Sequence, residues 1–288
     1  MTKNLPAQIN QAELDAFISD NRLSAEDLSG GGDFLPQLRI EYTDEVEFNG
    51  EKLEVKPGLF TLSGQEVPSY AKNVTFRPLL QTYQYINFDS VKKVVVNRSV
   101  LFNDFSEEAR DELGTLRCGK PEGKVLRDNP SLKKKYEDIK LYRSVDGLVS
   151  YNGTDPKGNE VKVENILCTF RGKGANFMPF SEEYTKLMPK GSLLWDFNLK
   201  LGVTRHKNDP SSAVYYYVAR FDPDFTNKLT LDIDTFGQVK ELKRRIDATN
   251  KEINKKYYQA LEEHSVTAQA EKVIEGNLNE DFDDDEEV

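Results

Sequence analysis

Hydrophobic positions fall into three patterns along the chain. Between Leu38 and Asp222, β-branched and aromatic runs recur between turn signals such as Asn49-Gly50 and the segment TDPKGN at 154–159. Short apolar runs closed by such residues predict strands and hairpins. The clearest run reads GSLLWDFNLKLGVTRH, where Leu193, Trp195, Phe197, Leu199, Leu201 and Val203 alternate with Asp196, Asn198, Lys200 and Thr204. A period of two predicts a strand with one buried face, and AVYYYVARF, after the loop KNDPSS, is its hairpin partner. From Thr235 the period changes. Val239, Ile246, Ile253 and Ala260 stand seven apart with Leu242 and Tyr257 beside them, which predicts a helix to about His264 within a helical segment 235–275. Such a stripe fits either the β body or a second copy of the chain in a short homodimeric coiled coil. Thr249 and Lys256 are poor seam residues and favour the body.

The two ends follow a third pattern. Residues 1–33 contain NQAELDAFISD, a short amphipathic helix capped by Asn10 with Leu14, Phe17 and Ile18 on one side, and then the breaker SGGGD. Residues 276–288 are almost wholly polar and too charged to bury a core. The expected organisation is therefore a mobile N-terminal arm (1–33), a β-rich body (34–234), a long C-terminal helix (235–275) and a disordered acidic tail (276–288).

Charge alters the functional picture. The chain of 288 residues has a formal net charge of −10, which alone would argue against a nucleic-acid ligand. The excess lies at the ends: the tail has seven acids and no base, and the arm has six acids against Lys3 and Arg22. The body between them is close to neutral and locally basic. No run approaches the 18 or so apolar residues of a membrane span, and the N-terminus lacks a signal-peptide pattern. The expectation is a protein of the cytoplasm with no membrane partner.

Catalytic constellations find little material. Cys118 and Cys168 form no CxxC or Cys/His cluster, which leaves neither a disulfide framework nor a zinc site. His206 and His264 are the only histidines, too few for a His-rich metal centre and without an evident triad. RGKGANF at 171–177 lacks the spacing of a phosphate-binding P-loop. The expectation is a non-enzymatic protein with no cofactor and no metal.

The body does carry cations interleaved with aromatic rings. One stretch sets Lys92, Lys93 and Arg98 near Tyr83 and Tyr85. A second, from Arg117 to Arg143, has nine bases against four acids and includes Lys133, Lys134, Lys135 and Tyr142. Further along come Arg171, Lys173, Phe177, Arg205 and Tyr216. Single-stranded nucleic acid calls for this chemistry, because cations track the phosphates and flat side chains stack on unpaired bases. Trp195, in register with Leu199 and Leu201, reads as core. Tyr83 and Tyr85 share one strand face and divide evenly between core and ligand. Tyr216 is opposite in phase to Tyr215 and Tyr217, so that one set points in and the other out.

The segments FRPLLQTYQYINFD, VVVNRSVLFND, LRCGK and GANFMP, with the hairpin that follows, resemble a family of uncharacterised early proteins of tailed phages over roughly Leu35 to Phe221. The plan of β body, long helix and acidic end also resembles phage single-stranded DNA-binding proteins of the replisome type. That resemblance implies an elaborated OB-like β-barrel whose groove binds the strand, in the cytoplasm of a bacterial host. It also implies a tail that competes for the groove and docks on a polymerase or helicase. Here the tail would act through Asp281, Phe282, Asp283, Asp284, Asp285, Glu286 and Glu287, with Phe282 as the apolar anchor; the chain ends in Val288, where several relatives end in an aromatic. The expected function is largely sequence-independent single-stranded DNA binding in replication or recombination. A virion structural or assembly protein is the alternative, and a metal-dependent nuclease or other replication enzyme is a third.

Overall fold

The structure, a computed structural model, describes residues 35–65, 67–89, 91–105, 109–114, 127–131, 138–207 and 214–280, with the backbone alone over 265–280. The arm 1–33 and the tail residues Asp281 to Glu287 lie outside the described residues, as do Lys133, Lys134 and Lys135. The strands are β1 (Gln37–Ile40), β2 (Glu45–Phe48), β3 (Glu51–Glu54), β4 (Phe60–Leu62), β5 (Tyr70–Ala71), β6 (Val74–Asp89), β7 (Val94–Arg98), β8 (Ile139–Thr154), β9 (Glu160–Gly172), β10 (Leu199–Lys207) and β11 (Tyr215–Pro223). One long helix, α1 (Ile233–Glu280), follows them. The protein is thus mainly β, with a large mixed sheet and one C-terminal helix.

The chain divides into two compact units, Met1–Tyr83 with Leu141–Asp247, and Gln84–Lys140 with Ala248–Val288. The second unit is therefore an insertion into the β body together with the later part of α1, a partition that the linear arm, body, helix and tail do not anticipate.

In the first unit β1 pairs antiparallel with β4, β4 with β5, β5 with β8 at Tyr70 and Thr154, and β8 with β9. Strand β9 returns to β1 in a parallel pair, Leu38 opposite Phe170. Strands β6, β10 and β11 continue the same sheet from β8 in that order, and β2 and β3 form a separate hairpin. Phe60, Phe76, Leu199, Leu201, Val145 and Phe170 fill the main core, each full side-chain burial being worth roughly 1.5–3 kcal/mol. A second cluster packs Leu79, Leu148 and Trp195 against Val239 and Leu242 of α1. Having a core on each face explains why β8 is buried through its middle residues regardless of phase.

The Asn49-Gly50 signal is realised as the β2–β3 hairpin, both residues having positive φ (54° and 78°), the backbone that a two-residue type I′ turn requires. One predicted strand starts late. Leu194–Asp196 forms a 3-10 turn and β10 begins only at Leu199. The Asp196 carboxylate accepts the Leu193 N–H at 2.9 Å and pairs with Lys228 at 3.0 Å. This local cap defeats the alternation while leaving Trp195 in the core.

In the second unit the end of β6 pairs with β7. Tyr85 stacks on Phe102 at 5.7 Å, and Asn250 of α1 clamps both backbone groups of Leu101, accepting from its N–H at 2.7 Å and donating to its carbonyl at 2.8 Å. The hairpin leaves Phe88, Val91, Val94, Val95 and Val96 exposed. No helix among the described residues is long and apolar enough to cross a membrane.

Candidate nucleic-acid interface

Strand β11 ends the first unit's sheet order, so its outward backbone groups need partners from elsewhere. The segment after β9 supplies them. Asn176 donates from Nδ2 to the Tyr217 carbonyl at 3.0 Å and accepts the Ala219 N–H at 2.7 Å, and the Glu183 carboxylate accepts the Phe221 N–H. The Tyr42 hydroxyl, from the end of β1, also donates to the Tyr217 carbonyl at 3.1 Å. Tyr217 is held from below as well: a Cβ on Gly58 would lie 2.7 Å from its ring, a contact that only glycine allows. Three chain segments remote in sequence thereby converge.

They border an open cavity of about 300 Å³ lined by Arg39, Ile40, Tyr42, Phe170, Arg171, Lys173, Ala175, Asn176, Tyr216 and Tyr217. None of these side chains is acidic. Arg39 and Arg171 directly follow the paired residues Leu38 and Phe170 on neighbouring parallel strands, and like charges on adjacent strands repel. The carboxylate that approaches Arg39, Glu41, is shared with its own turn. Its Oε1 accepts from the Tyr42 and Thr43 N–H groups and the Thr43 hydroxyl, at 3.0, 3.1 and 2.8 Å, while Arg39 reaches only Oε2, at 3.8 Å. Although partial burial opposes it, the Thr43 and Tyr42 hydrogen bonds hold Glu41 below the ordinary carboxylate range.

One buried acid does sense Arg171. Asp146, on β8, is 8% exposed and accepts the Thr169 hydroxyl. Burial pushes its pKa from 3.8 up to about 6, an effect that the Thr169 hydrogen bond and the charge of Arg171 only partly offset.

Beside the cavity the β10–β11 hairpin continues the same chemistry. Arg205 stacks over the Tyr215 ring at 3.3 Å, Lys207 approaches the same ring at 5.0 Å, and His206 stacks on Tyr216 at 5.4 Å. On the other flank Lys173 donates to the Tyr142 hydroxyl at 3.3 Å and lies over its ring at 5.4 Å. Of the residues expected from the sequence, Arg171, Lys173 and Tyr216 therefore line the cavity, and Tyr142 and Arg205 flank it.

The others are placed differently. Tyr83 is 8% exposed, and its ring, with Phe177 and Phe180, surrounds the guanidinium of Arg143 at 5.3, 4.7 and 5.9 Å. Arg143 is itself 4% exposed, with Nε and Nη1 lacking hydrogen-bond partners among the described residues. Cation–π contact accounts for part of the cost of burying that charge, and burial lowers its pKa. In the second unit Tyr85 is 6% exposed under Phe102. Lys92 lies 3.9 Å from Asp89, Lys93 occupies a left-handed turn position with φ 54°, and Arg98 donates to Glu112 at 3.0 Å. These cations close a turn and brace a fold.

Arg39, Tyr42 and Asn176 join the site from sequence positions without a basic-aromatic signature. Only the opposed phases of Tyr216 and Tyr217 hinted that β11 contributes to a surface. Among the described residues no group of three or more His, Cys, Asp or Glu side chains converges as a metal-holding cluster. No family model matches the chain, and neither a curated protein nor a solved structure gives a match.

Proposed function

We propose that the protein binds single-stranded DNA, without catalysing a reaction and largely without regard to sequence, in replication or recombination. The observation that carries this reading is the joint lining of one cavity by Arg39, Arg171 and Lys173 with Tyr42, Tyr216 and Tyr217. Cations neutralise phosphates and rings stack on bases for about 1 to 3 kcal/mol each. The hairpin residues Arg205, Lys207 and Tyr215 extend the track. The circuit β8–β5–β4–β1–β9–β8 supports a small barrel as the scaffold. It is OB-like in having five strands but departs from that fold in order, since it runs as a meander with one parallel pair where the OB barrel is a Greek key.

In this reading the seven tail acids compete with phosphate for the cations, and Phe282 anchors the tail on a polymerase or helicase. The test is an anisotropy titration of a fluorescent oligonucleotide at two salt concentrations, using the full chain and a chain ending at Glu275. Three phosphate-neutralising cations give a slope of about −2 in log affinity against log salt for single strands, and the shortened chain binds more tightly. Absence of salt-sensitive binding by the shortened chain sinks the proposal. Phe282→Ala should weaken partner capture while leaving DNA affinity unchanged.

A second reading, a virion structural or assembly protein, is favoured by the exposed Phe88, Val91, Val94, Val95 and Val96 of the second unit, an apolar set of the kind that marks interaction surfaces. Incorporation into purified particles together with indifference to oligonucleotides would select it.

A further inference from the structure

The cavity in the first unit is small. At about 300 Å³ it sits at the bottom of the range for small-molecule pockets, roughly 300 to 1,000 Å³, and matches one nucleotide rather than a run of them. Its charge is concentrated as well. Arg39 and Arg171 follow a directly paired position on adjacent parallel strands, Lys173 stands two residues beyond Arg171, and the half-buried Glu41 beside them spends one oxygen on three hydrogen bonds of its own turn and holds the other 3.8 Å from Arg39. An interior phosphodiester brings a single negative charge, whereas a terminal phosphomonoester brings nearly two at neutral pH. Three cations converging on one small cavity are better matched by the three terminal oxygens of the monoester than by the two free oxygens of a diester, with Glu41 and Asp146 offsetting only part of their charge. The apolar part of the lining is equally local: the Tyr42 and Tyr217 rings meet edge to face at 5.6 Å, and the Tyr217 ring is pinned over Gly58.

We infer that this cavity is a nucleoside-monophosphate site, seating a terminal phosphate on Arg39, Arg171 and Lys173 with its nucleoside against the tyrosines. The inference rests on the DNA-binding reading for the same surface and narrows it from a track to an end. Two sources present this chemistry, a free nucleotide and the phosphorylated end of a strand.

Calorimetric titration of the chain ending at Glu275 with dTMP, thymidine and inorganic phosphate tests the site directly. Anisotropy with short dT oligonucleotides, bearing or lacking a terminal phosphate, separates the sources. The expectation is that dTMP binds at least about tenfold more tightly than thymidine, the size of one charge-assisted contact. Arg39→Gln and Lys173→Gln should each erase most of that difference, while Lys162→Gln, on the distant part of β9 beside Glu164, leaves it intact. A phosphate-dependent gain for oligonucleotides identifies the strand end as the source, and dTMP binding without such a gain identifies the free nucleotide. Equal binding of dTMP and thymidine, or a dTMP preference that survives both substitutions, overturns the inference. If oligonucleotides bind in a salt-sensitive way with no dependence on a terminal phosphate and dTMP does not bind, the end site falls and the DNA-binding reading stands. If no oligonucleotide binds but dTMP does, the reverse holds.

Discussion

In the first unit Arg39, Arg171 and Lys173 line one cavity, with Glu41 3.8 Å from Arg39, whereas in the second Lys92 lies 3.9 Å from Asp89, and Arg98 and Lys256 both reach Glu112 at 3.0 Å without sharing a cavity among the described residues. The rings differ in the same sense. Tyr216 and Tyr217 border the cavity, while Tyr85 is buried against Phe102. Both regions mix cations with aromatics, so the mixture itself does not define a binding surface. What separates them is whether the cations and rings converge on one cavity, as Arg39, Arg171, Lys173, Tyr42, Tyr216 and Tyr217 do in the first unit. In the second unit Asp89 and Glu112 hold the named cations and Phe102 covers Tyr85, so that this part of the basic-aromatic signature serves stability, while Phe88, Phe105 and Tyr258 stay exposed.

The contrast can be broken at its strongest point first. Tyr85→Ala removes a buried ring and should cost about 3 to 5 kcal/mol of stability, read by urea unfolding, with little change in oligonucleotide affinity for the fraction that remains folded. A cost below about 1 kcal/mol would mean that Tyr85 is not a core residue.

Asp146→Asn is next. The folded-state pKa of about 6 stands above the unfolded 3.8, so the native state binds the proton more tightly. Stability therefore falls as pH rises between these values, and the penalty is fully present above about 6, where it approaches 3 kcal/mol. Asparagine keeps an acceptor for the Thr169 hydroxyl and removes the charge. The variant should therefore unfold at higher urea than the natural chain at pH 7 and lose that advantage below about pH 4. The same titration predicts that the natural chain binds anions more tightly at pH 5 than at pH 7.5, since a protonated Asp146 no longer offsets Arg171. An affinity ratio that Asp146→Asn leaves unchanged would refute the link.

Smaller effects sharpen the comparison at the surface. Tyr216→Ala should weaken oligonucleotide binding by about 1 to 3 kcal/mol with little loss of stability. Lys92→Gln should change affinity less than about twofold, because Lys92 is not among the residues that line the cavity and an isolated exposed charge contributes little. Equal losses from the two substitutions would erase the distinction between the units.

Much of this architecture was written locally in the chain. The Asn49-Gly50 hairpin, the turn at 154–159 between β8 and β9, the pairing of β10 with β11, the core position of Trp195 and the helical stripe of Val239, Leu242 and Ile253 all follow from short-range periodicity and turn chemistry. The early part of β10 did not, because Asp196 captures the Leu193 N–H and folds three residues into a turn that hydrophobic alternation cannot foresee. The cavity was legible only in fragments. Arg171, Lys173 and Tyr216 carried a signal, but Arg39 and Tyr42 reach them through the parallel β1–β9 pair and Asn176 through a clamp on β11. These are long-range contacts between segments that look ordinary on their own.

That clamp has a consequence beyond the ligand. An open strand edge is a template on which another chain can polymerise, and β11 would offer one directly beside three tyrosines. Asn176 and Glu183 take the Ala219 and Phe221 N–H groups, and Asn176 and Tyr42 share the Tyr217 carbonyl. The middle of this edge is covered by side chains instead of by a further strand. An edge covered in this way offers a second chain fewer free groups to pair with, so that Asn176→Ala is expected to raise concentration-dependent self-association, read by light scattering.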